Sequence, residues 1–207
     1  LIISSLTPQY TATLISILIH GALIVPINPA THPDHLRHIM KITHPALIIL
    51  GVMSIEQHLT TIRQVDQMVP IVILDDREME LRDTPDPKLE SLSDASSQTG
   101  PVWPLSHLLE IGHKSRKGKI PNVSTKPRDV VTALLFTSGS TGYPKGAMYT
   151  ESLMLPSPLV GNIHPLIKID LQAFHPSYLV SLLSVMACGG QRVITTNLSK
   201  LLTSLRS

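Results

Sequence analysis

Residues Phe136 to Gly146 read FTSGSTGYPKG. Three glycines and four aliphatic hydroxyls in eleven positions make a segment rich in free backbone N–H groups. Gly139, Gly142 and Gly146 permit positive φ and let a ligand approach the main chain closely. Thr137, Ser138, Ser140 and Thr141 add hydroxyl donors, and Lys145 adds a mobile positive charge behind the stiffening Pro144. A polyphosphate is the ligand that needs this set, because its oxygens require many donors and its charge must be neutralised. The spacing departs from the common phosphate loop of nucleotide hydrolases. Five residues after Gly139 stands Pro144 where that pattern has Gly, and Lys145 is followed by Gly146 rather than Ser or Thr.

A loop of this kind must be held by rigid elements, and the sequence supplies them. The run VVTALLF, Val130 to Phe136, is β-branched and apolar, so a buried strand is expected to lead directly into the loop. A flexible Gly/Ser linker rarely follows such a strand and rarely closes on Pro-Lys-Gly. Upstream, strand and helix patterns alternate. Leu1 to Ser5 reads as a strand, Gln9 to His20 as a helix capped at Gly21, and Ala22 to Pro26 as a second strand. Thr31 and Asp34 have capping-box spacing ahead of a helix through Leu36, Ile39 and Met40. LIIL after Pro45 and IVIL at Ile71 to Leu74 read as buried strands. Continuous apolar strands alternating with helices predict an α/β fold, a mostly parallel β-sheet flanked by helices.

Other signals point away from other chemistries. The 207 residues carry 17 Lys and Arg against 15 Asp and Glu, a net charge of +2, which gives no basic field for nucleic acid. With two Phe, one Trp and four Tyr there is little to stack bases on. The single cysteine, Cys188, excludes an intramolecular disulfide framework, and its apolar surroundings suit a buried structural thiol. His32, His35 and His38 are read as surface histidines of an amphipathic helix, so no metal site is expected. Ser138 and Ser140 do not stand in a GxSxG elbow. The apolar stretch Tyr10 to Ile27 is interrupted by His20, Gly21 and Pro26, so no transmembrane segment is expected and a soluble, cytoplasmic chain is. From Asp75 to Asp129 charge, Pro and Ser dominate, and a polar connector is expected there, with a turn or two of helix at Leu105 to Ile111 and a solvated basic patch at Lys114 to Lys119.

The segment FTSGSTGYPKG resembles the signature phosphate loop of the adenylate-forming superfamily, which includes acyl-CoA synthetases, adenylation domains of peptide synthetases, and luciferases. GALIVPINPATHPDHLRHI and HPSYLVSLLSVMACGGQRVI resemble further motifs of that family in the same order, the second with His175 opening a helix that ends at Gly189 and Gly190 before a strand at Arg192 to Thr195. The resemblance implies attack of a carboxylate on the α-phosphate of ATP, loss of pyrophosphate, and capture of the acyl-adenylate by the thiol of coenzyme A or of a carrier-protein phosphopantetheine. It implies that Thr137, Ser138, Gly139, Ser140, Thr141, Gly142 and Lys145 hold the departing phosphates, that Mg²⁺ comes bound to ATP, and that His175 lies beside the acyl pocket. It further implies that residues 1–207 are a partial N-terminal domain, with 1–75 as a strand and helix region, 76–129 as connector, and 130–207 as phosphate loop, helix and strand. The family's downstream motifs and C-terminal domain do not follow, and the chain opens at Leu1 inside an apolar pattern, so a piece of a longer protein, inactive alone, is expected. The helix at Leu198 to Leu205 would then lack its partner. Three readings stand on these residues: an acid–thiol ligase, a non-catalytic remnant that at most binds nucleotide, and part of an amino-acid-activating domain.

Overall fold

Five short strands, each two to four residues long, run parallel in the order β2-β1-β3-β4-β5. They are β1 (Ile2–Ile3), β2 (Pro26–Ile27), β3 (Ile48–Gly51), β4 (Ile71–Leu74) and β5 (Val102–Pro104). Helices α1 (Pro8–His20), α2 (Pro33–Thr43) and α3 (Ile55–Val65) make the crossovers, and α4 (Leu105–Ser115) follows β5. The computed structural model describes residues 1–75, 99–115, 129–137, 142–154, 168–170, 174–187 and 192–194. The expected Ser138 to Thr141 segment, Cys188, Gly189, Gly190, the basic residues beyond Ser115 and the Leu198 to Leu205 helix lie outside the described residues.

Side-chain alternation along the strands divides the core in two. In register, Ile2 stands beside Ile49 and Ile49 beside Val72, while Ile3 stands beside Leu50 and Leu50 beside Ile73. The first row packs on Tyr10 and Leu14 of α1 and on Tyr178, Leu179 and Leu182 of α6 (Pro176–Ala187). The second row packs on Leu36, Ile39 and Met40 of α2 and Ile55 and Ile62 of α3. Strands apolar on both faces need such cover on both sides. Each fully buried Ile or Leu contributes roughly 1.5–3 kcal/mol, so neither layer is dispensable. Within the first layer Tyr10 and Tyr178 meet edge to face at 6.0 Å, and the Tyr178 hydroxyl lies 2.7 Å from Thr11 Oγ1. Burial, and secondarily Tyr178, pushes the ionisation of Tyr10 upward, so its phenol stays neutral in the core.

Helix ends follow local chemistry. Thr7 Oγ1 accepts from the Tyr10 N–H at 3.1 Å ahead of Pro8, and Gly21 closes α1 in the left-handed conformation at φ 69°. At α2 the expected capping box of Thr31 and Asp34 does not form. Pro33 occupies the first turn and has no N–H to offer, and the residue before a proline is held extended. His32 therefore becomes the cap, and its Nδ1 accepts from the Asp34 N–H at 3.2 Å. The second strand also shifts: pairing begins at Pro26, while Ile24 makes a separate bridge described below.

The connector is less featureless than its composition predicts. Val102, Trp103 and Pro104 pair with Ile71, Val72 and Ile73 and extend the sheet by a strand, and α4 runs on to Ser115 rather than stopping at Ile111. Arg63 holds this return, donating to the carbonyl oxygens of Gln67, Val69 and Gly100 at 2.8 to 2.9 Å. A Cβ at Gly100 would lie 2.1 Å from the Met68 carbonyl oxygen, a distance no side chain tolerates. Gly100→Ala is accordingly expected to cost at least about 2 kcal/mol in urea unfolding, because the obstacle is main chain rather than a movable side chain. An unchanged unfolding midpoint would show that β5 is not held at this approach.

Candidate functional site

The strand expected at Val130 to Phe136 is β6 (Val131–Thr137), and it does not lead into a helix. It turns back as β7 (Lys145–Thr150), antiparallel, with Phe136 opposite Gly146 and Thr137 opposite Lys145. The glycine- and hydroxyl-rich segment is thus the connection of a β-hairpin. The register itself accounts for Gly146: a Cβ there would come within 3.1 Å of Leu134. A four-residue helix, α5 (Glu151–Met154), follows β7. Ala133 and Leu135 pack into the first core layer, and main-chain bonds join the hairpin to the sheet region at Ile24. Ile24 donates to the Thr132 carbonyl at 3.0 Å and accepts from the Leu134 N–H at 2.8 Å.

Between this hairpin and α2 lies a cavity of about 600 Å³, within the range of roughly 300–1,000 Å³ usual for small-molecule sites. Its apolar side is built by Ile27 and Ile39, by Leu135 and Phe136 of β6, and by Ala147 and Tyr149 of β7. Asn28, Thr31, His32 and His35 line the opposite side, and Thr137, Gly142, Pro144, Phe174 and His175 complete the wall. Three residues singled out from sequence, Thr137, Gly142 and His175, therefore share one cavity although His175 is remote in sequence. Lys145 is exposed at the start of β7, and its carbonyl accepts from Thr137 Oγ1 at 3.3 Å; its side chain is not part of the cavity wall. Ser138, Gly139, Ser140 and Thr141 are outside the described residues. Gly142 has φ 151°, a conformation that L side chains rarely adopt, which gives this glycine its reason.

His175 both lines the cavity and caps a helix. It stands at the head of α6, where its carbonyl accepts from the Tyr178 N–H at 2.9 Å. Its Nδ1 accepts from the Ser177 N–H at 3.2 Å and lies 2.7 Å from Ser177 Oγ. With Nδ1 used as an acceptor, the neutral ring carries its proton on Nε2, a donor on the wall of the cavity. The contacts with Ser177 fix the orientation of the ring at the head of the helix.

The wall opposite the hairpin lies in the segment GALIVPINPATHPDHLRHI, whose residues are not among the expected site residues. Asn28 Oδ1 accepts from the Ala30 N–H at 2.9 Å, and the Asn28 carbonyl from the Thr31 N–H at 2.9 Å, closing a tight turn. Two side chains of α3 hold that turn from behind: Gln57 Nε2 donates to the Thr31 carbonyl at 3.3 Å and His58 Nε2 to the Pro29 carbonyl at 2.7 Å. His58 is fully buried, and its Nδ1 has no hydrogen-bond partner among the described residues. Its periodic position on α3 is that of a core residue, so only the pairing reveals its task. His32 and His35 meet edge to face at 6.0 Å, and His35 and His38 both reach the ring of Tyr143. Of the three histidines expected at the surface only His32 is exposed, His35 and His38 being half-buried, and His32 and His35 also line the cavity. Among the described residues no three His, Cys, Asp or Glu side chains converge to hold a metal ion.

A family model described as AMP-binding enzyme matches residues 1–201. The chain belongs to the AMP-binding enzyme family. It is 28% identical over 145 residues to a carboxylic acid reductase of Segniliparus rugosus, a stretch that covers 69% of this chain and 12% of that protein. Among solved structures, the A-PCP didomain of a Segniliparus rugosus carboxylic acid reductase in complex with AMP superposes with a TM-score of 0.76 at 22% identity, covering 97% of this chain and 29% of that one. The luciferase-like enzyme of the mealworm Zophobas morio superposes with a TM-score of 0.73 at 15% identity, covering 99% and 44% respectively. The α/β architecture of an adenylation domain is thereby shown. No described helix is long and apolar enough to cross a membrane.

The hold of α3 on the cavity wall has a measurable consequence. His58→Ala removes a buried hydrogen bond and leaves a void, and is expected to lower stability by about 2–4 kcal/mol in urea unfolding. Gln57→Ala, at an exposed position, is expected to cost less than about 1 kcal/mol. Equal losses from the two would mean that burial of His58 is not what secures the turn.

Proposed function

We propose that this chain binds ATP at the hairpin connection and serves the adenylation of a carboxylic acid. The observation that carries the reading is the convergence of Thr137, Gly142 and His175 on one cavity, at the mouth of a connection made of glycines and hydroxyls. Membership of the AMP-binding family supports it. In this reading the connection and Lys145 receive the β- and γ-phosphates, which leave as pyrophosphate when the substrate carboxylate attacks the α-phosphate. Such transfer needs positioning and charge stabilisation more than covalent help from the protein. Lys145, exposed at the strand start, has the reach to swing towards an arriving triphosphate. The acid lies in the cavity, its apolar part on Ile27, Phe136 and Ala147 and its carboxylate near the Nε2 donor of His175.

Mg²⁺ would arrive bound to ATP and neutralise the triphosphate. The acyl-adenylate then passes to a thiol. A carrier-protein phosphopantetheine is favoured over coenzyme A by the A-PCP didomain among the similar structures. Residues 1–207 act as part of an N-terminal adenylation domain, with 1–75 and 130–207 forming the cavity walls and 76–129 connecting them.

ATP–pyrophosphate exchange with a panel of carboxylic acids tests the reading, on the 207-residue chain and on the full-length gene product. The chain alone is expected to be inactive and the full-length product to exchange in an acid-dependent manner. Lys145→Ala is expected to lower exchange about a hundredfold, the usual loss of one charge-stabilising group. His175→Ala is expected to raise the KM for the acid with little change in that for ATP. Exchange indifferent to Lys145 would end the assignment of the connection to phosphate. Mg·ATP binding without exchange in the full-length product would leave a nucleotide-binding module instead.

A further inference from the structure

We propose that Tyr143 is a positioning residue: its ring, seated on the imidazoles of His38 and His35, pins the outgoing end of the hairpin connection to α2 and so sets where Lys145 enters β7. The inference rests on the reading of that connection as a phosphate site, and adds to it a device that fixes one end of the connection before any ligand arrives.

Tyr143 is 58% exposed, yet its ring is not idle. It stacks on His38 with centroids 4.6 Å apart and planes 26° from parallel, and meets His35 edge on at 6.0 Å. The two histidines are three positions apart on α2, hence neighbours on one helix face, and both are half-buried. On one side of Tyr143 stands Gly142, whose φ of 151° marks a pivot no other residue type would favour; on the other stands buried Pro144, whose own φ is fixed by its ring. Pro144 keeps the backbone stiff between the docked ring and Lys145. α2 is itself anchored, through the core residues Leu36, Ile39 and Met40 and through Arg37, which donates to Gln64 of α3 at 3.2 Å. The ring contact thus refers Lys145 to the rigid body of the sheet.

An exposed aromatic pair is a weak contact, far below what folding depends on but enough to bias a loop. A lysine whose backbone is already held in place loses less freedom when it meets a ligand. The contact therefore belongs in the affinity for phosphate rather than in the stability of the chain.

The test is equilibrium dialysis with radiolabelled Mg·ATP on the full-length protein, comparing wild type with Tyr143→Ala, Tyr143→Phe, His38→Ala, the double variant Tyr143→Ala/His38→Ala, and Lys145→Ala. Tyr143→Ala is expected to weaken binding about three- to tenfold. Tyr143→Phe, which keeps the ring, is expected to stay within about twofold. His38→Ala is expected to match Tyr143→Ala, and the double variant to be no weaker than either single one, because all three remove the same contact. Thermal midpoints should be unchanged throughout. Wild-type affinity in Tyr143→Ala, additive losses in the double variant, or a loss not rescued by Phe would each overturn the positioning role. If Lys145→Ala weakens ATP while Tyr143→Ala does not, only this inference falls; if wild type binds no ATP, or Lys145→Ala binds as wild type does, the phosphate reading falls with it.

Discussion

Ile24 donates its N–H to Thr132 and accepts from Leu134, and these two main-chain bonds set the β6–β7 hairpin against the parallel sheet. Ile24 is itself fully buried and stands two positions before β2, while the neighbouring Val25 carbonyl accepts from Ile2 of β1. The hairpin is thereby referred to the sheet through one short stretch of chain. Leu135, Phe136 and Thr137, which face the cavity from β6, follow directly on that junction. Backbone bonds suit this purpose. They are blind to side-chain repacking, and a buried N–H or C=O left unpaired would cost more than the bond contributes.

The opposite wall depends on different forces. The Asn28 to Thr31 turn is closed by its own Asn side chain and held from behind by Gln57 and His58, while α2 is fixed through its apolar face. A cavity with one wall set by main-chain pairing and the other by side-chain packing can change its contents by substitution on the second wall without disturbing the first. His32 and His35 show the economy of this arrangement. His32 caps α2 through Nδ1 and also lines the cavity, so the same ring that starts the helix presents a polar surface to it.

The parallel sheet was legible because its strands are continuous apolar runs, a pattern that survives without knowledge of neighbours; IVIL at Ile71 to Leu74 is an example. The site was legible on one wall only. Glycines and hydroxyls after a buried strand announce a ligand locally, and the family resemblance added His175. The wall carrying Asn28, Thr31, His32 and His35 lies in a segment that resembles a family motif, but its residues become a cavity surface only when α2 is laid beside a hairpin about a hundred positions away. Strand β5 was hidden for a related reason: three residues beside two prolines look like connector until pairing with β4 and the close approach of Gly100 to Met68 are known. The cap of α2 was misplaced because the hydroxyl at Thr31 looked stronger than the steric rule imposed by Pro33.

Thr11 and Tyr178 touch across 167 positions, and Tyr178, Leu179 and Leu182 are the cover for Tyr10, Leu14 and the β1, β3 and β4 rows on that side. During synthesis the first helix leaves the ribosome long before its cover exists. The opposite layer, formed by α2 and α3 within the first 65 residues, has no such wait. One side of the sheet can close early and locally while the other stays open until most of the chain has been translated, and late, distant contacts of that kind slow folding. The nascent chain thus passes through a half-clad stage, and that stage is where chaperones would find an apolar surface to hold.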